Sequence, residues 1–229
     1  GIGMNIELKG VDKSFDGNKV LKGMDLFVKD GSLVCLFGPS GCGKTTSLKI
    51  IAGLLQLDNG LVLFDNKDVT SLPPEERNTG FVPQNYALFP HLTVENNISF
   101  GLEVRNYSKE EIKNRIEELL KLIDLKGFEN RYPRELSGGQ QQKVAVARAL
   151  AFKPSVLLLD EPLASIDIVE RVRLRNEIKN IKKRTGATIL YVTHDVEEAF
   201  SISDDVAIIE DGKIRTYGKP SILKKKFRY

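Results

Sequence analysis

The sequence predicts an α/β fold with a parallel-sheet core, an antiparallel β portion at the N-terminus and an inserted helical part. Three observations lead to this fold class: apolar runs typical of strands buried on both faces, alternating stretches near the N-terminus, and a middle region with helical spacing. With 229 residues, 41% of them hydrophobic, the chain can bury a substantial core. We expect one domain over residues 1–229, with an αβ core at about 1–84 and 151–229 and a helical subdomain at about 85–150.

The N-terminal part is predicted to consist of short strands and turns. Residues 6–11 alternate between apolar and polar, residues 16–18 mark a turn, and residues 20–28 form a second candidate strand. The apolar run at residues 33–37 is uninterrupted, which is typical of a strand buried on both faces. A glycine-rich loop follows it, and residues 45–55 have helical character.

Helical spacing distinguishes the middle of the chain. Ser108 and Glu111 have the spacing of a capping box, and apolar residues recur at helical intervals between positions 112 and 123. A further helix is predicted over residues 137–151. These features place a helical subdomain within the αβ core.

The buried-strand pattern returns twice after this insert, at residues 156–159 and 187–192. Between these strands we expect a helix that ends at Gly186. The side chains that this helix is expected to turn inward are Val169, Val172, Ile178 and Ile181. Over residues 206–214, an apolar run followed by the turn pair Asp211-Gly212 predicts a hairpin.

A phosphate-binding loop is predicted at residues 38–45, which match the pattern G-x-x-x-x-G-K-[ST] at every fixed position. The loop follows a buried strand and opens a helix, so its backbone N–H groups can surround a phosphate. Lys44 supplies a positive charge for the β- and γ-phosphates, and the Thr45 hydroxyl suits Mg²⁺. The alternative is a glycine-rich turn that arose by chance. The residues of this stretch expected at the nucleotide are Gly38, Pro39, Ser40, Gly41, Cys42, Gly43, Lys44, Thr45 and Thr46.

Two acids, Asp160 and Glu161, stand at the end of the apolar run 156–159. We expect Asp160 to bind the metal and Glu161 to act as the general base that polarises an attacking water. Such an arrangement suits phosphoryl transfer, which depends on positioning and on neutralisation of charge. The alternative is a strand that ends in a solvated acidic turn.

A second anion site is predicted where residues 136–140, Leu-Ser-Gly-Gly-Gln, precede a helix. Two such sites in one chain suggest a dimer that shares nucleotides between its subunits. With this motif, the chain resembles the ATP-binding cassette (ABC) family, the motor subunits of ABC transporters, over essentially its whole length. The resemblance implies a P-loop NTPase fold of ABC type, hydrolysis of ATP, and ATP and Mg²⁺ as cofactors.

The resemblance also implies roles for single residues. Phe15 matches the aromatic residue that stacks on adenine, and Gln84 matches the Q-loop glutamine that touches the metal and senses the transporter. Asp167 matches an aspartate that communicates across the dimer, and His194 matches the switch histidine at the γ-phosphate. Residues 136–140 match the signature motif of that family. The residues of this signature that would bind the nucleotide of the opposite subunit are Ser137, Gly138, Gly139 and Gln140.

The implied sets overlap. The catalytic set is Lys44, Gln84, Glu161 and His194. The Mg²⁺ ligands are Thr45, Gln84 and Asp160. The alternatives are a core position in the β portion for Phe15 and a plain loop amide for Gln84.

Residues 73–77 and 82–94 look like the importer subgroup that serves sugars, polyamines, sulfate and iron. The subgroup implies a second copy bound head to tail, transmembrane permease subunits, indirectly a solute-binding protein, and no nucleic acid. It also implies a peripheral location on the cytoplasmic face of the cell membrane. Members commonly carry a further C-terminal regulatory domain, and we expect residues 1–229 to be the ATPase domain alone. The apolar residues 86–89 are a candidate groove for a permease helix, with packing of the helical insert as the alternative.

Composition limits the other function classes. The net charge of +3 is too small to argue for a nucleic-acid partner, and no apolar run approaches the roughly 18 residues needed to cross a bilayer. Cys35 and Cys42 fit a reducing cytosol. The rival class is a soluble ABC-type ATPase acting on nucleic acid or ribosomes, but the spacing from Lys44 to Ser137 is too short for the coiled coil of DNA-repair relatives. A non-hydrolysing nucleotide-binding module is a second rival, against which Glu161 and His194 argue.

Overall fold

The computed structural model describes residues 2–227, which form ten strands and seven α-helices. The strands are β1 (Ile6–Phe15), β2 (Asn18–Val28), β3 (Leu33–Phe37), β4 (Asn59–Phe64), β5 (Lys67–Asp68), β6 (Thr79–Val82), β7 (Val156–Asp160), β8 (Thr188–Thr193), β9 (Asp205–Glu210) and β10 (Lys213–Gly218). The helices are α1 (Lys44–Ala52), α2 (Val94–Val104), α3 (Lys109–Leu122), α4 (Gly138–Leu150), α5 (Ile168–Thr185), α6 (Val196–Ile202) and α7 (Pro220–Phe227). Short 3₁₀ turns lie at Pro74–Glu76 and Pro133–Glu135.

An antiparallel sheet of order β2-β1-β4-β5 forms the N-terminal β portion, as predicted. The turn between β1 and β2 contains Asp16 and Gly17 at φ 49° and 83°, the left-handed pair that a tight hairpin turn requires. Ile6, Leu8 and Val11 are buried on one side of β1. The alternation in the sequence therefore marks a sheet with one face packed on the core.

The second sheet has the order β10-β9-β3-β8-β7-β6, in which every pairing except that of β10 with β9 is parallel. The predicted parallel-sheet core is confirmed. β7 and β8 are buried at every position, in agreement with their continuous apolar runs. Because β3, β8 and β7 are parallel neighbours, the segments that follow them meet at one edge of the sheet.

Two hydrophobic clusters lie on opposite faces of this sheet. In β3, Leu33 and Cys35 belong to one cluster, while Val34 and Leu36 belong to the other. Alternation of this kind follows from the strand period of two. We call the first cluster the helical-side core, because α2 to α6 contribute to it, and the second the β-side core, because β1, β2, β4 and α1 contribute.

The helical insert consists of α2, α3 and α4, which come between β6 and β7 in the chain. The predicted capping box at the start of α3 is confirmed: Ser108 Oγ accepts from the Glu111 N–H at 3.1 Å, and Glu111 Oε1 accepts from the Ser108 N–H at 3.2 Å. α4 packs on α2 and on β6. The division into a core and a subdomain at 85–150 stays a prediction. Within residues 2–227, no helix is both long enough and apolar enough to cross a membrane.

The buried face of α5 differs from the predicted one. Ile178 and Ile181 are buried, as expected, but the exposed fractions of Val169 and Val172 are 84% and 52%. Val169 precedes Ile178 by about two and a half helical turns, as Val172 precedes Ile181, so the members of each pair lie on opposite faces of a helix. The inward assignment of Val169 and Val172 was wrong because it combined these two faces. Gly186 caps the helix at φ 71°, as predicted.

Candidate active site

The phosphate loop lies between β3 and α1, with Gly43 as the N-cap of α1. Gly41 and Gly43 have φ of 80° and 99°, a left-handed backbone that favours glycine. A Cβ built on Gly43 would also lie 2.7 Å from a methyl carbon of Leu21. Glycine is therefore needed both for the turn and for the close packing of the loop on β2.

Lys44 is the first residue of α1, and its side chain is buried. Its Nζ donates to the Gly38 carbonyl at the other end of the loop and lies 3.9 Å from Glu161 Oε1. The ammonium group of Lys44 thus lies inside the loop, between the loop backbone and the Glu161 carboxylate. A charge in this place can bind a phosphate that enters the loop.

Thr45 and Asp160 are in direct contact, although 115 positions separate them in the sequence. The Thr45 hydroxyl donates to Asp160 Oδ2 at 3.1 Å and approaches Oδ1 at 3.3 Å. Burial raises the pKa of the Asp160 carboxyl, and the hydrogen bond from Thr45 opposes this effect. A hydroxyl and a carboxylate are hard oxygen ligands of the kind that Mg²⁺ prefers, so these two residues fit that ion.

Glu161 and His194 form a pair that the sequence did not reveal. His194 Nδ1 lies 2.5 Å from Glu161 Oε1. Glu161 follows β7 at φ 44°, and its N–H donates to the Val192 carbonyl of β8 at 2.9 Å. A left-handed glutamate costs about 1–3 kcal/mol, so the neighbouring strand must hold it in place. The bend directs the Glu161 carboxylate toward Lys44 and His194.

A cavity of about 380 Å³ opens beside the phosphate loop. Its lining residues are Phe15, Val20, Ser40, Gly41, Gly43, Lys44, Thr45, Thr46, Gln84 and Glu161. Phe15 is 41% exposed, which agrees with a position on a binding surface and not with the alternative of a core position. Val20 has no signal in the sequence, because nothing distinguishes it from the other residues of its strand.

Further residues predicted at the site lie next to this cavity without lining it. Asp160 and His194 contact lining residues directly, and Gly38 accepts from Lys44. Pro39 and Cys42 belong to the loop itself, and burial raises the pKa of the Cys42 thiol. Among the residues that line the cavity in the described part of the chain, none comes from the signature.

The signature begins α4 and caps its own helix. Ser137 Oγ accepts from the Gln140 N–H at 3.2 Å, and Gln140 Oε1 accepts from the Ser137 N–H at 3.0 Å. Ser137 and Gly138 are exposed. Gly139, in contrast, is buried, and a Cβ built on it would clash with the Glu170 carboxylate. The N-terminus of α4 is therefore open at Ser137 and Gly138 but covered at Gly139, and it lies away from the cavity of the same chain.

Asp167 is the N-cap of α5 and accepts from the Glu170 N–H at 3.1 Å. The loop before it is held by Arg171, whose Nε and Nη2 donate to the carbonyls of Ile166 and Ala164 at 2.7 and 2.9 Å. Arg171 Nη1 also lies 3.6 Å from Asp195, the residue after His194. This arginine links the Asp167 loop to the His194 segment.

The sequence pattern of the ABC transporter family matches residues 21–164, a stretch that includes the phosphate loop, the signature and the two acids. The chain belongs to the ABC transporter family. Within that family it is similar to the spermidine/putrescine import ATP-binding protein PotA of Photobacterium profundum, with 48% identity over 215 residues. It is likewise similar to the Fe(3+) ions import ATP-binding protein FbpC of Fusobacterium nucleatum (48% over 217 residues) and the sulfate/thiosulfate import ATP-binding protein CysA of Caulobacter vibrioides (51% over 221).

These alignments cover 94–95% of this chain, but only 58% of PotA, 58% of FbpC and 65% of CysA. The chain thus spans about three fifths of the length of the curated relatives it matches.

Two solved structures extend the likeness to the fold. A dimeric ATP-binding cassette in a post-hydrolysis state, bound to ADP and Pi, matches with a TM-score of 0.82 and 35% identity, over 94% of this chain and 98% of that one. The protein cbiO1 of Clostridium perfringens, part of an ABC transporter complex, matches with a TM-score of 0.89 and 28% identity, over 97% and 91% of the two chains. The predicted ABC-type fold is confirmed.

Proposed function

We propose that this chain binds and hydrolyses ATP as the motor subunit of an ABC transporter. The observation that carries the proposal is the convergence of Phe15, the phosphate loop, Gln84 and Glu161 on one cavity. The aromatic ring suits the base of a nucleoside triphosphate, and the backbone N–H groups of the loop suit its phosphates. The carboxylate suits the water that attacks the γ-phosphate.

The proposed chemistry assigns one task to each group. When bound, Mg²⁺ would neutralise charge on the β- and γ-phosphates, with Thr45, Gln84 and Asp160 as the residues that would hold it. Lys44 binds the phosphates from inside the loop. Water attacks the γ-phosphorus as the bond to the ADP oxygen breaks, and Glu161 accepts the proton of that water. The contact with His194 Nδ1 fixes the Glu161 carboxylate and leaves the other ring nitrogen to bind the γ-phosphate.

We also propose that two copies meet head to tail, so that residues 137–140 of one copy close over the nucleotide of the other. The exposed Ser137 and Gly138 at the start of α4, and the dimeric state of the similar cassette bound to ADP and Pi, support this arrangement. Asp167 would act across the same interface. Such a pair obeys twofold symmetry, because its two composite sites are equivalent.

The proposed membrane partner is a permease, and the relatives named for import of polyamines, iron and sulfate favour a solute importer with an associated solute-binding protein. This chain would then lie at the cytoplasmic face of the membrane. Tyr86 is buried, so it does not line the candidate groove, and only residues 87–89 of the predicted stretch can do so. Ala87 is exposed, Leu88 and Phe89 are partly buried, and Phe100 is 47% exposed with its ring centroid 5.2 Å from that of Phe89.

Two measurements test these proposals separately. Phosphate release by the purified chain, with Mg-ATP and with excess EDTA, tests the ATPase: we expect turnover that EDTA abolishes. The second measurement tests the proposed permease partner. Tagged Glu161→Gln protein with Mg-ATP is used to capture binding partners from detergent-solubilised membranes of the source organism. A multi-span membrane protein would support the permease, whereas ribosomal or DNA-bound partners would contradict it and leave the ATPase standing.

A further inference from the structure

The segment after Gln84 contains two consecutive left-handed residues that are not glycine. Tyr86 and Ala87 have φ of 64° and 51°. A Cβ disfavours this backbone at each position, so two such residues in a row persist only where their surroundings hold them. Residues 86–87 therefore need a neighbouring group that fixes them.

Arg148 supplies the contact. Its Nη2 donates to the Tyr86 carbonyl at 2.7 Å, and its Nη1 donates to the Ala87 carbonyl at 2.8 Å. The planar guanidinium fork suits two neighbouring acceptors, which a single ammonium group would not match. The guanidinium also lies 5.6 Å from the ring centroid of Phe89. One side chain thus contacts three of the four residues 86–89.

A separate contact holds the next part of the segment. Asn97, a fully buried residue of α2, accepts from the Phe89 N–H at 2.8 Å. Its Nδ2 donates to the carbonyls of Phe89, Leu92 and Thr93 at 3.0–3.1 Å. Residues 89–93 are therefore attached to α2, whereas residues 86–87 are attached to α4. Gln84, exposed and on the wall of the cavity, is two residues from the α4 attachment.

α4 carries a functional candidate near each end. It starts after Ser137, the N-cap within the signature, and Arg148 lies in its last turn. A helix of 13 residues is about 20 Å long, and its backbone hydrogen bonds connect the two ends. A shift of this helix along its axis would therefore also displace the guanidinium that holds Tyr86 and Ala87.

We propose that Arg148 is a positioning residue that couples the signature end of α4 to Gln84. It holds the left-handed pair in register with α4, so Gln84 reaches the cavity only when α4 is correctly placed. This inference rests on the proposed ATPase function. It assigns to Arg148 an effect on turnover through Gln84, with no contact to the nucleotide.

The test compares Arg148→Met with a matched control, Arg115→Met. Arg115 Nε and Nη2 donate to the carbonyls of Ala151 and Leu150, both at 2.8 Å, so it also binds two carbonyls at the end of α4. Both variants lose a comparable structural contact. We expect Arg148→Met to lower kcat by about tenfold with an unchanged KM for ATP, and Arg115→Met to stay within about twofold of the wild type.

Gln84→Ala distinguishes positioning from general damage. If Arg148 acts through Gln84, adding Arg148→Met to Gln84→Ala lowers kcat by less than about twofold, because the two losses are not independent. Ala87→Gly should partly rescue Arg148→Met, since glycine adopts the left-handed backbone without strain. Arg148→Lys, which keeps the charge but not the fork, serves if the methionine variant does not fold, and we expect it to lower kcat by about threefold.

The outcomes are separable. Equal kcat in Arg148→Met and Arg115→Met, or a full additional loss in the Gln84→Ala background, overturns the coupling while the ATPase proposal stands. An inactive wild-type chain overturns both.

Discussion

The nucleotide cavity and the signature are assembled in opposite ways. The cavity draws on β1, β2, the phosphate loop, the Gln84 segment and the end of β7, so it exists only when both sheets are folded and packed together. The signature is one short stretch, residues 136–140, in which Ser137 and Gln140 cap α4 with their own side chains. The first is a product of tertiary structure and the second of local structure. A local anion site of this kind can be presented to a nucleotide held elsewhere, which is why we assign it to the opposite subunit.

Loss of the catalytic carboxylate is the strongest test of the cavity. Glu161→Gln keeps the shape of the side chain but removes its basicity, so we expect kcat to fall by about 100-fold or more. Binding of a fluorescent ATP analogue should persist. Glu117→Gln, an exposed change on α3, is the control and should leave turnover intact. Turnover that survives Glu161→Gln would contradict the role of this carboxylate.

Protection of Cys42 tests whether ATP enters the phosphate loop. Burial raises the pKa of this thiol and the thiolate is the reactive form, so alkylation should be slow at neutral pH and faster as the pH rises. With Mg-ATP at about ten times its Kd, we expect labelling to slow by about tenfold. Mass spectrometry distinguishes Cys42 from the fully buried Cys35. Equal labelling with and without nucleotide would place ATP elsewhere.

Complementation tests the division between the two regions directly. Lys44→Ala disables the loop, and Gly138→Asp adds a negative charge to the signature at a position where a Cβ meets no heavy atom within 4 Å. We expect each variant alone to be inactive and their equimolar mixture to regain about one quarter of wild-type activity. Half of the dimers would be mixed, and each of these has one intact composite site.

Gly138→Ala is the control for the added charge and should remain active. A mixture that stays inactive, although both variants fold and bind to each other, would contradict the expectation that one intact composite site is enough for turnover.

The smallest expected effect concerns the base. Phe15→Ala removes a stacking surface worth about 1 kcal/mol, so we expect the KM for ATP to rise by about fivefold with little change in kcat. Phe15→Tyr keeps an aromatic ring, so it should leave the KM for ATP unchanged. Because a ring stacks on any base, GTP and ATP should have similar KM values in the wild-type chain. A KM that is unchanged in Phe15→Ala would remove Phe15 from the site.

The sequence predicted which strands border the candidate site, while the roles of the site residues stay predictions. Apolar runs identified β3, β7 and β8, and motifs at their ends identified Lys44, Asp160 and His194. Parallel neighbouring strands then bring such ends together. What the sequence could not give is the contact between Glu161 and His194, because it depends on the left-handed bend at Glu161. No residue-type preference marks that bend.

Long side chains were the other limit of prediction. Arg148 contacts Tyr86 and Ala87, which lie 62 and 61 positions earlier in the sequence. Arg171 contacts the loop before Asp167, where the Ile166 carbonyl lies only 5 positions earlier. An arginine in a helix pattern is typical of a solvated face, so neither contact has a signal in the sequence. The α5 error was of a different kind, since the helical period already places Val169 opposite Ile178.

The separation of the two hydrophobic cores bears on how such a protein can diversify. The strands β3, β6, β7, β8 and β9 send alternate side chains to the helical-side core and to the β-side core. A substitution in α2 or α3 therefore repacks one cluster while the sheet shields the other, to which α1 and the antiparallel strands belong. Substitutions can therefore accumulate on the helical side through successive generations, while the layer that supports the phosphate loop keeps its packing.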